Sequence, residues 1–398
     1  MTAAPIARPA LRRIVAALVA DETNRSRGRV GGTSGSVRSE DPFAWTDDCR
    51  LSVGGLPLDS LETVNAGAAL YEMFGLEGLE QEAKRGPPST VGHWLDDIST
   101  VLFGEDPRLT LMTSGSTGRA KPCVHAVADL LAEATYFASV LPQVRRIVAL
   151  VPAHHIYGLI WTALLPEALG VPVVAASVLS FPALEAGDLI VAVPDHWGAI
   201  VRSIRRWPAG VCGVSAGAPL SDALAETVRA AGGERLYDVY GASETGGIAL
   251  RCAPGSPYRL LPRWQFAAPI NGADAVIVDT GGREVLLPDR LSIGLDHSFA
   301  VAGRRDGAVQ VGGINVWPEQ VEAVLRRHVG IADCAVRLSG QNRLKAFVVP
   351  SGVGDEAALT ADIAHHVQRV LLPEQRPTAY AFGPALPRNA MGKVCDWS

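Results

Sequence analysis

The sequence predicts an α/β protein with a mostly parallel sheet, a helical N-terminal region and a small α+β C-terminal domain. Three observations carry this. Short apolar runs suited to buried parallel strands recur between residues 109 and 193, separated by helical stretches. The first hundred residues show helical rather than alternating periodicity. Residues 304–398 carry strands and helices of their own. A length of 398 residues, at about 150 per domain, is enough for two or three domains. The boundaries are placed at 1–100, 101–303 and 304–398.

In chain order, Leu11, Ile14, Val15, Leu18 and Val19 sit at helical spacing. Residues 24–39 are rich in Gly, Ser and Arg and read as a loop. Asp59 with Glu62 forms a capping box that opens a second helix, with Leu61, Val64, Ala68 and Tyr71 on its inward face and Gly75 as its stop. Residues 84–89 form a loop and 90–98 a short helix. Buried parallel strands follow at 109–112, 146–151, 171–176 and 189–193, with a helix at 126–141. Residues 275–287 read as a hairpin around Thr280, Gly281 and Gly282. The C-terminal region has helices at 318–328 and 357–371 and strands at 334–338 and 344–349. There are no internal repeats.

Composition narrows the function classes. Hydrophobic residues make up 48% and charged residues 19%, which excludes a wholly disordered chain. Thirty-six basic against 41 acidic residues leave a net charge of −5, which argues against nucleic acid as the main partner. The six cysteines are scattered without a C-x-x-C pair. They suggest neither a zinc site nor a disulfide framework, and fit a reducing, cytoplasmic compartment. No uncharged apolar stretch reads as a membrane helix: residues 168–184 are broken by Pro172 and Pro182. The apolar run after Arg12 and Arg13 ends at Asp21 and Glu22 and reads as a helix, not a signal peptide. Against 32 arginines there are only four lysines, Lys84, Lys121, Lys345 and Lys393. A compact ammonium does a different job from a planar guanidinium, so each lysine asks for a reason.

The strongest local signal is Thr113, Ser114, Gly115, Ser116, Thr117 and Gly118 followed by Lys121, between an apolar strand and a helix. Two glycines and four hydroxyl residues make a pliable loop whose N–H and O–H groups can surround phosphate oxygens, with Lys121 as a mobile cation. Its lysine follows the second glycine by three residues, unlike the G-x-x-x-x-G-K loop. Taken alone it is equally a polar surface turn. Likewise His155 alone is a packed histidine, Tyr240 and Glu244 a strand end and a helix cap, Asp306 a turn residue, and Lys393 a solvated charge.

The loop resembles the phosphate loop of the adenylate-forming superfamily, which includes acyl- and aryl-CoA synthetases, luciferases and peptide-synthetase adenylation domains. Five further segments resemble that family's motifs in that family's order. Residues 152–158, with His155, resemble the gate near the acyl pocket; Tyr157 and Trp161 beside it would suit a planar aryl acid. Residues 215–220, with Gly217, Ala218 and Pro219, resemble the turn against adenine. Residues 239–245 resemble the segment whose Tyr240 stacks on adenine and whose Glu244 ligates magnesium, beside Gly241 and Thr245. Residues 303–306 and 312–322 resemble the hinge and first helix of the C-terminal domain, with Asp306 as the pivot. Residues 386–393 resemble the closing motif with the catalytic Lys393.

The resemblance implies ATP-dependent activation of a carboxylic acid to an acyl-adenylate, then thioester formation on CoA or a carrier protein, in secondary metabolism. ATP and Mg2+ are the implied cofactors, with Glu244 and Thr117 at the metal and Lys121 and the loop hydroxyls around the pyrophosphate. The substrate would be a small aryl or medium-chain acyl acid. For the ribose, Asp289 stands at the distance of the family's T-G-D aspartate but lacks the Thr and Gly, with Asp296 as the other candidate and Arg304 as the second contact.

Two departures follow. Only 112 residues precede Thr113, so most of the family's N-terminal subdomain is missing, as in the short AMP-ligase-like proteins of aryl polyene and phenazine pathways. The missing pocket wall is absent or supplied by a second subunit of a homodimer. In addition, residues 55–64 and 70–75 resemble an acyl carrier protein around its phosphopantetheine serine, here Ser60. Asp59 and Ser60 are equally an ordinary helix start. The competing function is a degenerate, non-catalytic binder of an acyl or aryl acid. Joint retention of Lys393, Glu244 and the phosphate loop favours the enzyme.

Overall fold

A computed structural model describes residues 5–29, 44–51, 56, 58–76, 88–113, 121–204, 206–267, 274–312, 314–340, 342–352, 355–388 and 394–397. The chain forms two compact units, Met1–Leu261 and Pro262–Ser398.

The first unit opens with α1 (Arg8–Arg29), which buries Leu11, Ile14, Val15 and Val19. The expected loop from residue 24 is corrected here: the helix runs on to Arg29. Arg25 pairs back to Glu22 at 2.7 Å and to Asp21 one turn earlier, and Arg27 donates to Glu62 at 2.6 and 2.9 Å. These local and tertiary ion pairs offset the weak helix propensity of that stretch.

Helix α2 (Ser60–Phe74) starts at the expected capping box: Asp59 accepts from the Glu62 N–H, Glu62 accepts from the Asp59 N–H, and Gly75 closes the helix at φ 65°. Its inward face is a second correction. Leu61 and Val64 are 67% and 66% exposed, and the buried face is Glu62, Ala66, Leu70, Met73 and Phe74. Glu62 turns inward because Arg27 meets it there, which rotates the helix away from the face read from hydrophobicity. Helix α3 (Val91–Leu102), capped by Thr90, completes this layer.

A hairpin of β1 (Arg108–Thr113) and β2 (Lys121–Ala126) pairs antiparallel, with Thr113 opposite Lys121. Segment 109–112 was expected in the parallel sheet; it pairs with β2 instead. After α4 (Val127–Val140) comes a seven-stranded sheet. Its strands are β3 (Arg146–Ala149), β4 (Val173–Ala175), β5 (Asp188–Ala192), β6 (Cys212–Ser215), β7 (Arg235–Ala242), β8 (Gly246–Ala253) and β9 (Arg259–Leu260). The order is β4-β3-β5-β6-β7-β8-β9, parallel through β7 and antiparallel beyond. Every residue of β5 is buried, as expected of a strand covered on both faces. Helix α5 spans residues 156–169, a turn Ile156–Gly158, a π-helical stretch Leu159–Leu164 and a closing turn Leu165–Leu169. Helices α6 (Pro194–Ser203) and α7 (Asp222–Ala231) pack over the sheet through Trp197, Ile200, Ala225 and Val228.

The second unit holds a four-stranded antiparallel sheet: β10 (Trp264–Phe266), β11 (Asp274–Asp279), β12 (Glu284–Ile293) and β13 (Phe299–Arg304). The β11–β12 turn falls where Thr280, Gly281 and Gly282 placed it, and Asp279 accepts from the N–H groups of Gly281 and Arg283, each at 2.9 Å. A small hairpin, β14 (Val309–Val311) and β15 (Ile314–Val316), leads to α8 (Pro318–Leu325). The last body is a three-stranded sheet of β16 (Ile331–Leu338), β17 (Leu344–Pro350) and β18 (Ala379–Phe382), with α9 (Glu356–Val370). Its core is Val316, Val321, Leu325, Val336, Leu344, Val348, Ile363 and Val367.

Candidate active site

The chemistry-bearing segments of the first unit gather at strand ends and in the β1–β2 hairpin. Ser114, Gly115, Ser116, Thr117 and Gly118 lie outside the described residues, as does Lys393. The hairpin register sets the ends of the first segment side by side, Thr113 against Lys121, and Lys121 is exposed. Strand β2 is tied to the 239–245 segment: His125 Nε2 meets the Ser243 carbonyl at 2.7 Å. Burial pushes the Cys123 thiol up, Glu244 adds to this and Lys121 opposes it. Both charges therefore act on one point of β2. Glu244 is exposed, while Thr245 is buried and its hydroxyl donates to the Gly246 carbonyl at 3.0 Å, which fixes the turn.

Tyr240 ends the buried part of β7, half-buried, with the Tyr258 ring centroid 5.9 Å away. Behind it lies a network that sequence reasoning missed. Asp238, 1% exposed, accepts from Tyr258 at 2.6 Å and from Arg251 Nε at 2.8 Å. Burial raises the Asp238 carboxyl, and the hydrogen bonds from Tyr258 and Arg251 pull it back. Arg251 also donates to the Leu220 carbonyl at 2.6 Å and meets Asp222 at 3.0 Å. One guanidinium thus joins β7, β8 and the 215–220 turn, using its fork of donors. In that turn Gly217, at φ 85°, and Pro219 are exposed and Ala218 is half-buried.

A second missed residue is Glu133 of α4, 6% exposed. Its carboxylate accepts from the Gly247 N–H at 3.0 and 3.1 Å. A Cβ at Gly247 would stand 2.6 Å from that carboxylate, so the glycine is what lets it in. A buried carboxylate on an otherwise apolar helix face was the signal available in the sequence.

The 152–158 segment is held tightly. Tyr157, half-buried, places its hydroxyl 3.0 Å from the Ala192 carbonyl and 2.8 Å from that of Val214, at the C-terminal ends of β5 and β6. Burial pushes its phenol up. His155 is exposed at its rim, with the His154 ring 4.1 Å away. Burial of the rest of its surroundings, then the His154 charge, lower its pKa to about 4, so the imidazole is neutral at pH 7. His154 itself is buried, and its Nε2 lies 3.6 Å from Asp21 of α1. Arg13 of α1 donates to the Ala163 carbonyl at 3.0 Å and pairs with Glu167. Trp161 is fully buried against Phe137, centroids 4.4 Å apart; it packs the core rather than facing a substrate.

In the second unit, Asp289 and Arg304 are register partners across β12 and β13. Asp289 is 9% exposed. Arg304 makes a two-pronged bond to Asp306 at 2.8 and 2.7 Å, which holds the Asp306 carboxyl below its usual range. Asp296, the other ribose candidate, accepts from the Ser298 hydroxyl at 2.6 Å within its own turn. Ser60 is exposed at the first position of α2.

A sheet of five parallel strands extended by an antiparallel edge, followed by a separate small α+β body, is the fold of adenylate-forming ligases. Solved structures share it: o-succinylbenzoate CoA synthetase from Bacillus subtilis (TM-score 0.54, 20% identity, 72% of this chain and 67% of that one) and a malonyl-CoA ligase (0.53, 23%, 70% and 71%). The chain belongs to the AMP-binding enzyme family, whose model matches residues 63–290 and whose C-terminal domain model matches 320–393. It is similar along nearly its whole length to 4-coumarate–CoA ligases. That of Rhodobacter capsulatus is 37% identical over 97% of this chain and all of that protein. That of Halorhodospira halophila is 36% identical over 96% and 97%. No described helix is long and apolar enough to cross a membrane.

Proposed function

We propose that the protein activates a small aryl carboxylic acid with ATP and passes the acyl group to the thiol of CoA. The observation that carries this is near-full-length similarity to 4-coumarate–CoA ligases, joined to retention of Lys393, Glu244 and the hydroxyl loop. Attack of a carboxylate on the α-phosphorus brings two anions together, so cations at the reacting oxygens must stabilise the developing charge. Lys393 is assigned to those oxygens, and Lys121 with the hydroxyls of Ser114, Ser116 and Thr117 to the departing pyrophosphate. Tyr240, Gly241, Gly217, Ala218 and Pro219 would hold adenine, and Asp289 and Arg304 the ribose.

Among the described residues, no three His, Cys, Asp or Glu side chains cluster to hold a metal. A magnesium ion brought by the nucleotide needs only one or two carboxylates besides phosphate oxygens, and exposed Glu244, with the Thr117 hydroxyl, fits that requirement. Magnesium would neutralise phosphate charge there. Neutral His155 would line the acid's entry without adding a second charge beside the carboxylate. Asp306 is assigned as the pivot on which the C-terminal domain, placed from residue 304, turns between the two half-reactions.

CoA is the favoured acceptor over Ser60. The helix that carries Ser60 shares a compact unit with the sheet, and Arg27 ties it to α1. The test is acid-dependent pyrophosphate release across a panel of aryl and medium-chain acids, followed by thioester analysis with CoA. Intact-mass measurement after treatment with a phosphopantetheinyl transferase reads Ser60. Lys393→Ala should lower pyrophosphate release by about 100-fold or more while ATP still binds, because its contacts form mainly in the transition state. Unchanged release in that variant, or no acid turned over by the wild type, would sink the proposal.

A further inference from the structure

Of the four lysines, Lys121 and Lys393 fall in motifs and Lys84 lies outside the described residues; Lys345 is left to explain. It sits in β17, the central strand of the last sheet, and its side chain is only 15% exposed. Its ammonium meets Asp396 Oδ1 at 2.8 Å, donates to the Trp397 carbonyl, and lies 5.2 Å from the centre of the Trp397 ring. Trp397 also packs edge-on against Phe347, 5.6 Å away. Phe347 is two residues along β17 from Lys345, and so on the same face. A compact donor reaches a carboxylate, a carbonyl and a ring face from one point. A planar guanidinium aims its donors in a fixed fork and does not substitute for it.

These contacts have a consequence upstream. Cys395 donates its N–H to the Pro387 carbonyl at 2.8 Å, and Arg388 bridges Val394. Residues 387–388 and 394–395 therefore lie side by side, and residues 396–397 are anchored to β17. Lys393 immediately precedes the anchored stretch. We propose that Lys345 is a positioning residue for Lys393: it staples residues 394–397 to β17 and so fixes the chain on the C-terminal side of the acting lysine. This rests on the assignment of Lys393 to acid activation.

The test uses the full-length protein with Lys345→Met and Asp396→Ala. The second change is at a residue whose side chain is 74% exposed, which keeps the test open if the first variant fails to fold. Pyrophosphate release is measured with the acid that the wild type turns over in the panel. Thioester formation is measured separately, from that acid's synthetic adenylate and CoA. Amide hydrogen exchange is followed at residues 394–397. Lys345→Met should slow pyrophosphate release about 10- to 100-fold and leave thioester formation within about twofold of wild type, the scale on which misplacement of a reacting group acts. Exchange at 394–397 should rise in both variants.

An equal fall in both half-reactions, unchanged pyrophosphate release, or unchanged exchange would overturn the role of Lys345. Failure of the underlying assignment looks different: Lys393→Ala would then retain wild-type release. The exchange measurement judges the staple in that case too.

Discussion

Gly158 is where the structure sets the narrowest tolerance in the 152–158 segment. A Cβ there would stand 1.9 Å from the Pro152 carbonyl oxygen and 2.7 Å from its carbon. Ordinary contact begins near 3.4 Å, so Gly158→Ala must drive the two backbones apart by about 1.5 Å. Both are main chain, so no side chain can swing away. The Pro152 carbonyl also accepts the His155 N–H, and the His155 carbonyl accepts the Leu159 N–H at 2.7 Å. The displacement therefore passes straight to His155 and to the Tyr157 anchor on β5 and β6. Overpacking of this kind costs about 1–3 kcal/mol of stability, and a shift of about 1 Å in a positioning segment costs about 100-fold in rate. Thermal melting and acid-dependent pyrophosphate release read the two effects. Gly170→Ala serves as the control: its φ is 66°, with nothing within 4 Å of the added carbon, so it should lose about 1–2 kcal/mol through backbone strain alone and keep its turnover. Wild-type turnover in Gly158→Ala, or an equal loss of turnover in Gly170→Ala, would refute the reasoning.

Two further outcomes are expected. Glu133→Ala removes the buried carboxylate that accepts the Gly247 N–H and should cost about 1–3 kcal/mol in urea unfolding; coincident unfolding curves would show that it braces nothing. His155 has a folded pKa of about 4 against an ordinary 6.5, so the unfolded chain binds the proton first and stability falls as pH drops from 6.5 towards 4. The lowered Asp21 carboxyl adds to the fall only from about pH 5 downward, and His196, lowered by burial, acts across the same window as His155, so the variant removes one part of the slope. His155→Gln should therefore lessen the slope of melting temperature against pH between 4 and 6.5, and an unchanged slope would count against the reading.

Much of the architecture was legible because it is written locally. The Asp59–Glu62 box and Gly75 bound α2, and the apolar runs at 146–151 and 189–193 are strands of the parallel sheet. What failed did so where tertiary partners override local pattern. The 24–29 stretch reads as a loop, yet it is helix because Arg25 and Arg27 find carboxylates on α1 and α2. Leu61 and Val64 read as an inward face, yet Arg27 draws Glu62 inside and leaves them out. Segment 109–112 is apolar enough for the sheet's interior, yet β2 claims its edge.

The candidate site shows the same division. Its motif residues are recognisable by order along the chain, because the chemistry fixes their types and the strand ends fix their spacing. The residues that hold them in place, Glu133, Arg251 and Asp238, carry no motif, since a brace needs only a charge at the right depth and any neighbouring element can supply it. Helix α1 extends this logic to the N-terminal region. Arg13 grips the 156–169 helix and Asp21 stands against His154, so contacts to residues 154–167 come from α1. A sequence read motif by motif gives that helix no role. A sequence read for charges that need partners beside an apolar helix face would ask what Arg13 and Asp21 are for.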